Sequence, residues 1–531
     1  MKLLLEPSGS RHRLAFLAGA VALVSFALLS IVGRAEASET IYWDNYGATP
    51  ATIGFANIDG TGGGVLSNAN LQLPGTEVEI SSPEGLAYDP ANGRIYVANS
   101  SDDNILWVNT DGSGAGVLDT GAAVVEDPEG IAVDPKTQTV YWSNAETKGS
   151  IGYAAAGGGS GGMLNTAGAS VDDPYKIALD TVNGRVYWIS HLGIVSYANL
   201  NNTGGADVPV PPTETVTSWS GINVDPATNR LYVLGTNTSG VEGILVLSTL
   251  GLGGSQIALE EPTFEDPYGL AFDPVNGRFY WANYGAKEER ALAFGTTTAA
   301  GGATAIGVAT APLDSPQDPV IVKSPSGAGA PQVTQNVAAL SCSQGTWSQD
   351  YPGSYVYAAP LSYAYQWLSN GQAISGATGS TYTATAGGSY ACQVTGKNLS
   401  GSASQTSSAV TVTPAALTAT LESKKPHAKA GKPVVVKLLL ANGGQIGSTP
   451  VSVCATLTKQ AKKGLVAPKC APVAALGNGG SATATLRVKT KKSAKGTYKF
   501  TTQVKGATVA PVTVSVKVTA AKHKKKHHKK K

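Results

Sequence analysis

The stretch GLAFDPVNGRFYWAN, from Gly269 to Asn283, places two short alternating apolar segments on either side of an Asn-Gly step. Asparagine and glycine both accept positive φ angles, so this step predicts a tight turn between two antiparallel strands. The first segment recurs as GLAYDP, GIAVDP, KIALDT and GINVDP, which begin at Gly85, Gly130, Lys176 and Gly221. The sequence therefore predicts a repeated β-hairpin.

A tyrosine-centred segment forms the second strand of each repeat. Its six copies read IYWDN, IYVAN, VYWSN, VYWIS, LYVLG and FYWAN, with tyrosines 45 to 54 residues apart. A third apolar segment then runs into a Gly-rich turn and a further short strand, as in ILWVNTDGSGAG from Ile105. Four strands in about 45 residues are the content of one propeller blade, so six copies predict six blades. The first copy lacks its inner segment, and we expect Pro319–Val322 to supply it and close the ring.

The array resembles the low-density lipoprotein receptor class B, or YWTD, repeats, which form six-bladed β-propellers. The resemblance covers residues 41 to about 310, with Tyr-Trp-x-Asn at Trp43, Trp142 and Trp281 where the family has Tyr-Trp-Thr-Asp. In the family the Asp links neighbouring blades by hydrogen bonds, and the resemblance does not carry this network over to a chain that has Asn at the position. The resemblance implies the fold and does not extend to the receptor's ligands.

The recurrent aromatic residues are expected to pack between blades, which is a commoner role for one aromatic per repeat than a ligand cage. The predicted blade core comprises Tyr42, Trp43, Tyr96, Tyr141, Trp142, Tyr187, Trp188, Tyr232, Tyr280 and Trp281. Trp107 and Trp219 fall outside the repeated position, so with His191 they are the candidate rim contacts for a sugar or peptide.

The residue inventory argues against most catalytic chemistry. His191 is the single propeller histidine, which excludes a multi-histidine metal site or a histidine acid–base pair, and a polar loop role is favoured for it over catalysis. Arginines directly after the turns, and Asp in the Asp-Pro steps, are interpreted as turn residues. We expect no cofactor; calcium held by channel-facing carboxylates is the alternative left open.

The C-terminal half predicts two β-sandwich modules. After a linker at Pro325–Pro331, the residues around Cys342, Trp367 and Cys392 resemble a bacterial immunoglobulin-like domain, with an inserted loop near Asp350 to Pro360. Period-2 patterning returns after Pro414 and predicts a second sandwich. Cysteine pairing within each neighbourhood, Cys342 with Cys392 and Cys454 with Cys470, is favoured over a four-thiolate metal site because no close C-x-x-C pair exists.

Charge divides the chain at the same boundary. Residues 38–320 contain 32 acidic and 9 basic residues, and residues 321–531 contain 2 acidic and 26 basic residues. A basic cluster, a 19-residue uncharged segment and Ala35-Glu36-Ala37 predict an export signal, cleaved or retained as a membrane anchor. The tail is a candidate contact for anionic envelope polymer or lipid through Lys524, Lys525, Lys526, Lys529, Lys530 and Lys531. No motif for specific nucleic acid recognition accompanies these lysines.

The predicted fold is all-β: a six-bladed β-propeller followed by two immunoglobulin-like β-sandwich modules. The boundaries are a signal peptide or anchor at 1–37, the propeller at 38–325, an immunoglobulin-like domain at 326–414, a second sandwich at 415–519 and a disordered Lys/His-rich tail at 520–531. We expect an extracellular or surface-attached protein whose propeller binds a protein or glycan. The alternatives are a channel hydrolase or lyase that uses carboxylates, and a structural adhesion scaffold.

Overall fold

The computed structural model describes residues 39–521 except 67–71, 74–75, 78, 147, 211–215, 238–241, 252–253, 258–265, 286–289, 297–303, 309 and 424. The predicted export signal and the tail lysines lie outside these residues. The regular structure is almost entirely β-strand; the helical turns are Ser100–Asp102, Pro352–Ser354 and Ala461–Gly464. Within the described residues, no helix has the length and apolarity needed to cross a bilayer.

Six sheets of four antiparallel strands fill the N-terminal part of the described chain. In each sheet the strands follow one another in space from an innermost to an outermost strand, and they are named in that order. Sheet 1 is Pro316–Val322, Thr40–Asn45, Thr52–Asn57 and Gly63–Val65, and sheet 2 is Pro83–Asp89, Arg94–Asn99, Asn104–Asn109 and Ala115–Val117. Sheet 3 is Pro128–Asp134, Thr139–Asn144, Ser150–Ala155 and Gly161–Met163, and sheet 4 is Pro174–Asp180, Arg185–Ser190, Val195–Asn199 and Gly205–Asp207. Sheet 5 is Val216–Asp225, Arg230–Asn237, Glu242–Ser248 and Gly254–Ile257, and sheet 6 is Pro267–Asp273, Arg278–Asn283, Ala291–Thr296 and Thr304–Ile306. A short hairpin pairs Gln72–Leu73 with Thr76–Glu77.

The inner strands contact one another in a closed ring, so the sheets form a β-propeller around a central channel. Sheet 1 closes the ring because its inner strand comes from the far end of the repeat array. Tyr42 lies opposite Val320 and Ile41 opposite Ile321. The pairing predicted for Pro319–Val322 is confirmed, and the strand begins three residues earlier, at Pro316.

Strand alternation explains the Tyr-Trp pair in the second strands. Successive side chains point to opposite faces of a sheet, so each tyrosine contacts one neighbouring sheet and the next residue contacts the other. Tyr141 packs with sheet 4, for example, whereas Trp142 packs with sheet 2. Glycine opposite the tryptophan makes room for the indole: a Cβ on Gly152 would lie 2.4 Å from the Trp142 ring.

In sheets 1 and 3 the Asn of the Tyr-Trp-x-Asn motif connects the segment before the inner strand to the second strand of the same sheet. The Asn45 side-chain oxygen accepts hydrogen bonds from Trp43 Nε1 (3.0 Å) and from the Asp314 amide (3.0 Å). Asn144 accepts from the Glu126 amide in the same way. These contacts lie within one sheet, in contrast to the inter-blade role of the Asp in the family motif.

The first sandwich follows directly, and the residues predicted as a linker include one of its strands. Its strands form three sheets. The first pairs Gly327–Gly329 with Thr346–Trp347, and the second contains Val333–Asn336, Ala339–Cys342 and Thr381–Thr383. The third contains Gln372–Ala373, Ser362–Ser369, Gly388–Asn398, Gly401–Thr406 and Val410–Val412. The predicted Cys342–Cys392 disulfide is confirmed. Trp367 is opposite Cys392 in the sheet, and the Tyr390 hydroxyl donates to the Ala386 carbonyl oxygen at 2.8 Å.

The inserted loop of this sandwich closes one end of the propeller channel. We call residues 351–357 the plug. Its strand Val356–Tyr357 pairs in parallel with the inner strand of sheet 1, which places Val356 opposite Ile321. The Tyr355 hydroxyl lies within hydrogen-bond distance of two inner-strand carbonyl oxygens, at Ile131 (3.1 Å) and Ile177. The two modules are therefore joined by a shared sheet and not only by the connecting segment.

The second sandwich packs two sheets over one apolar core. One sheet is Leu417–Leu421, Val434–Asn442, Ser481–Thr490 and Leu465–Val466, and the other is His427–Lys429, Val512–Thr519, Gly496–Lys505, Val451–Leu457 and Ala471–Val473. The predicted Cys454–Cys470 disulfide is confirmed. Strict inside–outside alternation, as in Ser481–Thr490, produces this arrangement.

Candidate functional site

The start of each inner strand lines one end of the channel, opposite the plug. Four of the six equivalent positions are glycine because neighbouring inner strands approach too closely for a side chain. A Cβ on Gly85 would lie 2.4 Å from the Glu129 carbonyl oxygen, and one on Gly130 would lie 2.6 Å from the Ile177 amide. The other two positions are Lys176 and Asp318. These are the side chains that enter the channel from this ring.

Lys176 and Asp318 form a buried ion pair although they lie 142 residues apart in the sequence. Lys176 Nζ is 2.8 Å from Asp318 Oδ2 and also donates to the Glu84 carbonyl oxygen. Burial alone would lower the pKa of Lys176, but the carboxylates of Asp318, Glu84 and Glu129 outweigh it and raise the pKa. Lys176 is thus a permanent cation and does not supply a neutral amine nucleophile.

Asp44 is a third ionisable group of this network, and its carboxyl group lacks a partner. The side chain is 0% exposed, and neither carboxylate oxygen bonds to any other described residue. Burial, followed by the charge of Asp318, raises the pKa of Asp44 well above its usual range. The equivalent residues of sheets 2 and 6 are Ala98 and Ala282, so the carboxyl group is not required by the fold.

Glu84 and Glu129 lie above the ion pair and are half-buried. Burial raises the pKa of Glu84 to about 7, although Lys176 opposes the shift. Burial and the nearby Glu84 carboxylate raise the pKa of Glu129 to about 9. At neutral pH the carboxyl groups therefore do not all carry charge, because one lysine cannot compensate four of them. We call Asp44, Glu84, Glu129, Lys176 and Asp318 the acidic mouth.

Aromatic rings border the acidic mouth on one side. Tyr46, Tyr284, Tyr268 and Tyr175 follow one another with ring centroids 6.2, 5.6 and 5.9 Å apart. His191 extends the row, 4.5 Å from Tyr175. The Lys176 ammonium group lies 4.6 Å from the Tyr175 ring centroid and 5.3 Å from that of Tyr268. We call these five rings the aromatic arc. The mouth thus has carboxyl groups on one side and aromatic rings on the other, and two of these rings already contact the Lys176 ammonium group.

The predicted rim residues do not lie together. His191 is at the end of the aromatic arc, with Nε2 4.0 Å from Asp173 Oδ2. Trp219 is 6% exposed beneath Tyr175 and Tyr268. Trp107 lies on a third strand under the Arg94 guanidinium group, 4.0 Å from the ring centroid. Of the three, His191 alone is exposed beside the aromatic arc.

The predicted blade-core residues lie in the contacts between neighbouring sheets. All are buried except Tyr42, which is partly exposed. Asp89 Oδ1 accepts from the Ala91 amide at 3.0 Å, as expected for a turn residue. Arg185 and Arg278 stack on Tyr197 and Phe294. Neither group lies at the acidic mouth.

No group of three or more described His, Cys, Asp or Glu side chains is arranged to hold a metal ion. At the acidic mouth, the Lys176 ammonium group occupies the position from which a cation would contact Asp318. The cavity beneath it measures about 20 Å³, room for one water molecule.

Sequence reasoning missed the acidic mouth although its signals are visible. Lys176 breaks a run of glycines at one repeat position, and the Gln-Asp-Pro segment at Asp318 aligns with Glu-Gly-Leu at Gly85. Glu84 and Glu129 precede glycine in two Pro-Glu-Gly segments, where Tyr175 and Tyr268 occupy the same position in sheets 4 and 6. A comparison restricted to the residues that differ between repeats would have found these positions.

No protein-family model and no curated protein matches the chain. Solved structures similar to it include a chain of a nidogen/laminin complex, with 15% identity over 53% of this chain and 98% of that chain and a TM-score of 0.42. TolB from Acinetobacter baumannii has 10% identity over 54% and 66% of the two chains and a TM-score of 0.41. A gluconolactonase from Xanthomonas campestris has 15% identity over 49% and 82%, with a TM-score of 0.34. The propeller rests on the closed ring of inner strands, and these similarities carry no functional argument.

Proposed function

We propose that the chain is an exported surface protein whose propeller is a binding module, and that its ligand presents a positively charged group to the acidic mouth. The propeller has six blades related to the low-density lipoprotein receptor class B type, and the first sandwich is an immunoglobulin-like spacer. The six four-stranded sheets support the first assignment. The disulfide beside Trp367 and the Tyr390–Ala386 hydrogen bond support the second.

The unpaired Asp44 carboxyl group, buried near the carboxyl groups of Asp318 and Glu84, is the observation that carries the ligand class. A buried carboxylate without a partner is costly, so a second cation near Glu84 and Glu129 would stabilise the charged form of the network. Tyr46 and Tyr284, the arc tyrosines that do not contact Lys176, add partly exposed aromatic rings, which attract ammonium and guanidinium groups. Both features fit a lysine or arginine side chain of a protein, or an amino sugar of a glycan.

Substitution at the acidic mouth tests this proposal. Glu84→Gln with Glu129→Gln in the full chain should abolish binding to arrayed basic peptides and amino-sugar glycans. Glu126→Gln is the matched control because Glu126 is exposed in the same loop, three residues before Glu129. Binding that survives the double substitution, or that the control also abolishes, would contradict the proposed site.

A carboxylate-dependent hydrolase or lyase is the second candidate, and the unequal pKa values of Glu84 and Glu129 favour it. A protonated carboxyl beside one that ionises near pH 7 is the arrangement needed for general acid–base catalysis. The full chain should then cleave esters, lactones or glycosides with a rate that Glu129→Gln lowers at least about 100-fold. Adding calcium and a chelator to the same assay would reveal metal dependence. If the chain cleaves none of these three substrate classes, the remaining candidate functions are a binding module and an adhesion scaffold.

The C-terminal tail is the proposed contact with the cell envelope. Seven lysines and three histidines in residues 522–531 would attract an anionic envelope polymer or lipid surface. A chain that ends at Ala521 and associates unchanged with the envelope would argue against this role.

A further inference from the structure

The second sandwich has a charge composition unlike any other part of the chain. Residues 415–519 contain 17 basic residues and one acidic residue, Glu422. The Glu422 carboxylate accepts a hydrogen bond from the Thr483 hydroxyl at 3.2 Å, on the outer face of a sheet. Among the described residues, none of the module's lysines forms an ion pair. Its positive charge is therefore uncompensated within the module.

The fold gathers more than half of this charge at one end. Three loops, 429–433, 458–464 and 489–495, meet there through backbone hydrogen bonds. The Gly431 amide donates to the Lys491 carbonyl oxygen at 3.2 Å, and the Lys491 amide donates to that of Gly464 at 2.8 Å. We call the nine exposed lysines of these loops the lysine cap: Lys429, Lys432, Lys459, Lys462, Lys463, Lys489, Lys491, Lys492 and Lys495.

The lysine cap lies at the end of the module that faces away from the first sandwich. Contacts with that sandwich involve Thr413 and Gln445, whereas the strand Val434–Asn442 begins beside the cap and ends beside Gln445. Nine strand residues at about 3.3 Å each separate the two ends by roughly 30 Å. The last strand also ends at the cap, where the Ala430 amide donates to the Thr519 carbonyl oxygen.

We propose that the lysine cap is a binding surface for a linear polymer that carries phosphate groups, and that it binds this polymer without the C-terminal lysines. Nine ammonium groups on three adjoining loops match a chain of regularly spaced anions, and their mutual repulsion falls when such a chain is bound.

The composition of the three loops favours a hydrated phosphate polymer over a nucleic acid or a bilayer surface. They contain no arginine, whose planar fork binds carboxylates and phosphates bidentately, so their lysines act as point charges, which suits a flexible polymer of phosphate groups. They contain no aromatic residue on which a nucleobase could stack. They also lack a large apolar side chain to enter a bilayer.

Charge removal at the cap tests the proposal. The triple substitution Lys432→Gln, Lys463→Gln and Lys492→Gln takes one exposed lysine from each loop. Lys437→Gln with Lys469→Gln and Lys505→Gln is the matched control, with the same change in net charge outside the loops. Each triple is made in the full chain and in a chain that ends at Ala521. Binding of long-chain inorganic polyphosphate is measured by calorimetry at several salt concentrations, and melting curves check the fold.

The proposal expects the chain ending at Ala521 to bind polyphosphate. It also expects the cap triple to weaken binding about tenfold or more and to reduce the slope of log K against log salt by roughly 2, while the control changes affinity about twofold or less. Equal loss in both triples, or loss of all binding with the tail, would overturn it. So would binding to phosphatidylglycerol vesicles but not to polyphosphate. Low-salt self-association that the cap triple abolishes, with no polyphosphate binding, would instead assign the cap to the acidic propeller of a second copy.

Discussion

The two ends of the propeller channel differ in how their polar groups are satisfied. At the plugged end, Tyr355 and Ser354 bond to inner-strand carbonyl oxygens and the plug adds a strand to sheet 1, although the buried Tyr357 hydroxyl has no partner among the described residues. At the acidic mouth, Asp44 has no partner on another described residue, and Glu129 Oε2 and the Tyr175 hydroxyl are also unpaired. Hydrogen-bonded polar groups at one end of the channel stabilise the folded chain, whereas unpaired polar groups at the other end would gain a partner when a ligand binds. The difference separates a structural end of the channel from a candidate binding end.

The largest effect is expected from breaking the ion pair beneath the acidic mouth. Lys176→Met leaves Asp318 buried beside Asp44 with no cation, so the free energy of unfolding should fall by about 3–5 kcal/mol. Adding Asp318→Gly should restore most of it, because Asp318 has a φ of 38° that glycine adopts without strain. Guanidinium denaturation of both variants measures the two changes. If the double variant is as unstable as Lys176→Met, the ion pair contributes to the free energy of unfolding by more than neutralising its own two charges.

The next effect is expected at the plugged end. Tyr355→Phe removes the hydroxyl that two carbonyl oxygens share, which should cost about 1–3 kcal/mol in the free energy of unfolding. Tyr351→Phe is the matched control, since this partly exposed hydroxyl has no bond to lose among the described contacts. Its effect should stay within about 0.5 kcal/mol. Equal effects of the two substitutions would show that the hydrogen bonds of the Tyr355 hydroxyl do not stabilise the plugged end of the channel.

A smaller effect of opposite sign is expected from the unpaired group of the acidic mouth. Asp44→Ala introduces the residue found at this position in sheets 2 and 6, and it should raise the free energy of unfolding by about 1 kcal/mol because no partner is lost. Ser143→Ala, at the same position in sheet 3, should instead lower it by about 1 kcal/mol, since the Ser143 hydroxyl bonds to the Gly130 amide and the Tyr175 carbonyl oxygen. Destabilisation by Asp44→Ala in the same denaturation assay would indicate a structural partner for this carboxyl.

The smallest effect is expected from pH. The folded pKa values of Glu84 and Glu129, about 7 and about 9, lie above the ordinary value of 4.5. The folded state therefore holds these protons more tightly than the unfolded state, and stability declines as pH rises from about 5 to 9. The melting temperature should fall by about one degree over this window, because solvent screens the partly exposed carboxyl groups. Glu84→Gln with Glu129→Gln should flatten the decline, and an unchanged slope would show that other groups control it.

The sequence by itself determined the strands and their local pairing. Asn-Gly turns between alternating segments specify hairpins through the backbone preferences of a few adjacent residues. The number and spacing of the repeats predict the number of sheets. Both disulfides follow from proximity in the chain. Strand alternation also predicts that the tyrosine of each second strand and the residue after it contact opposite neighbouring sheets.

Only the tertiary structure decided what lies in the channel. Ring closure brings Asp318 to Lys176, and a loop of the next module supplies Tyr355 from the other side. The lysine cap likewise joins loops about 30 residues apart in the sequence. These contacts join residues far apart in the chain, which no local preference or repeat period encodes. Local sequence therefore determines which residues form strands, whereas the closed ring and the docked sandwich decide which charges meet.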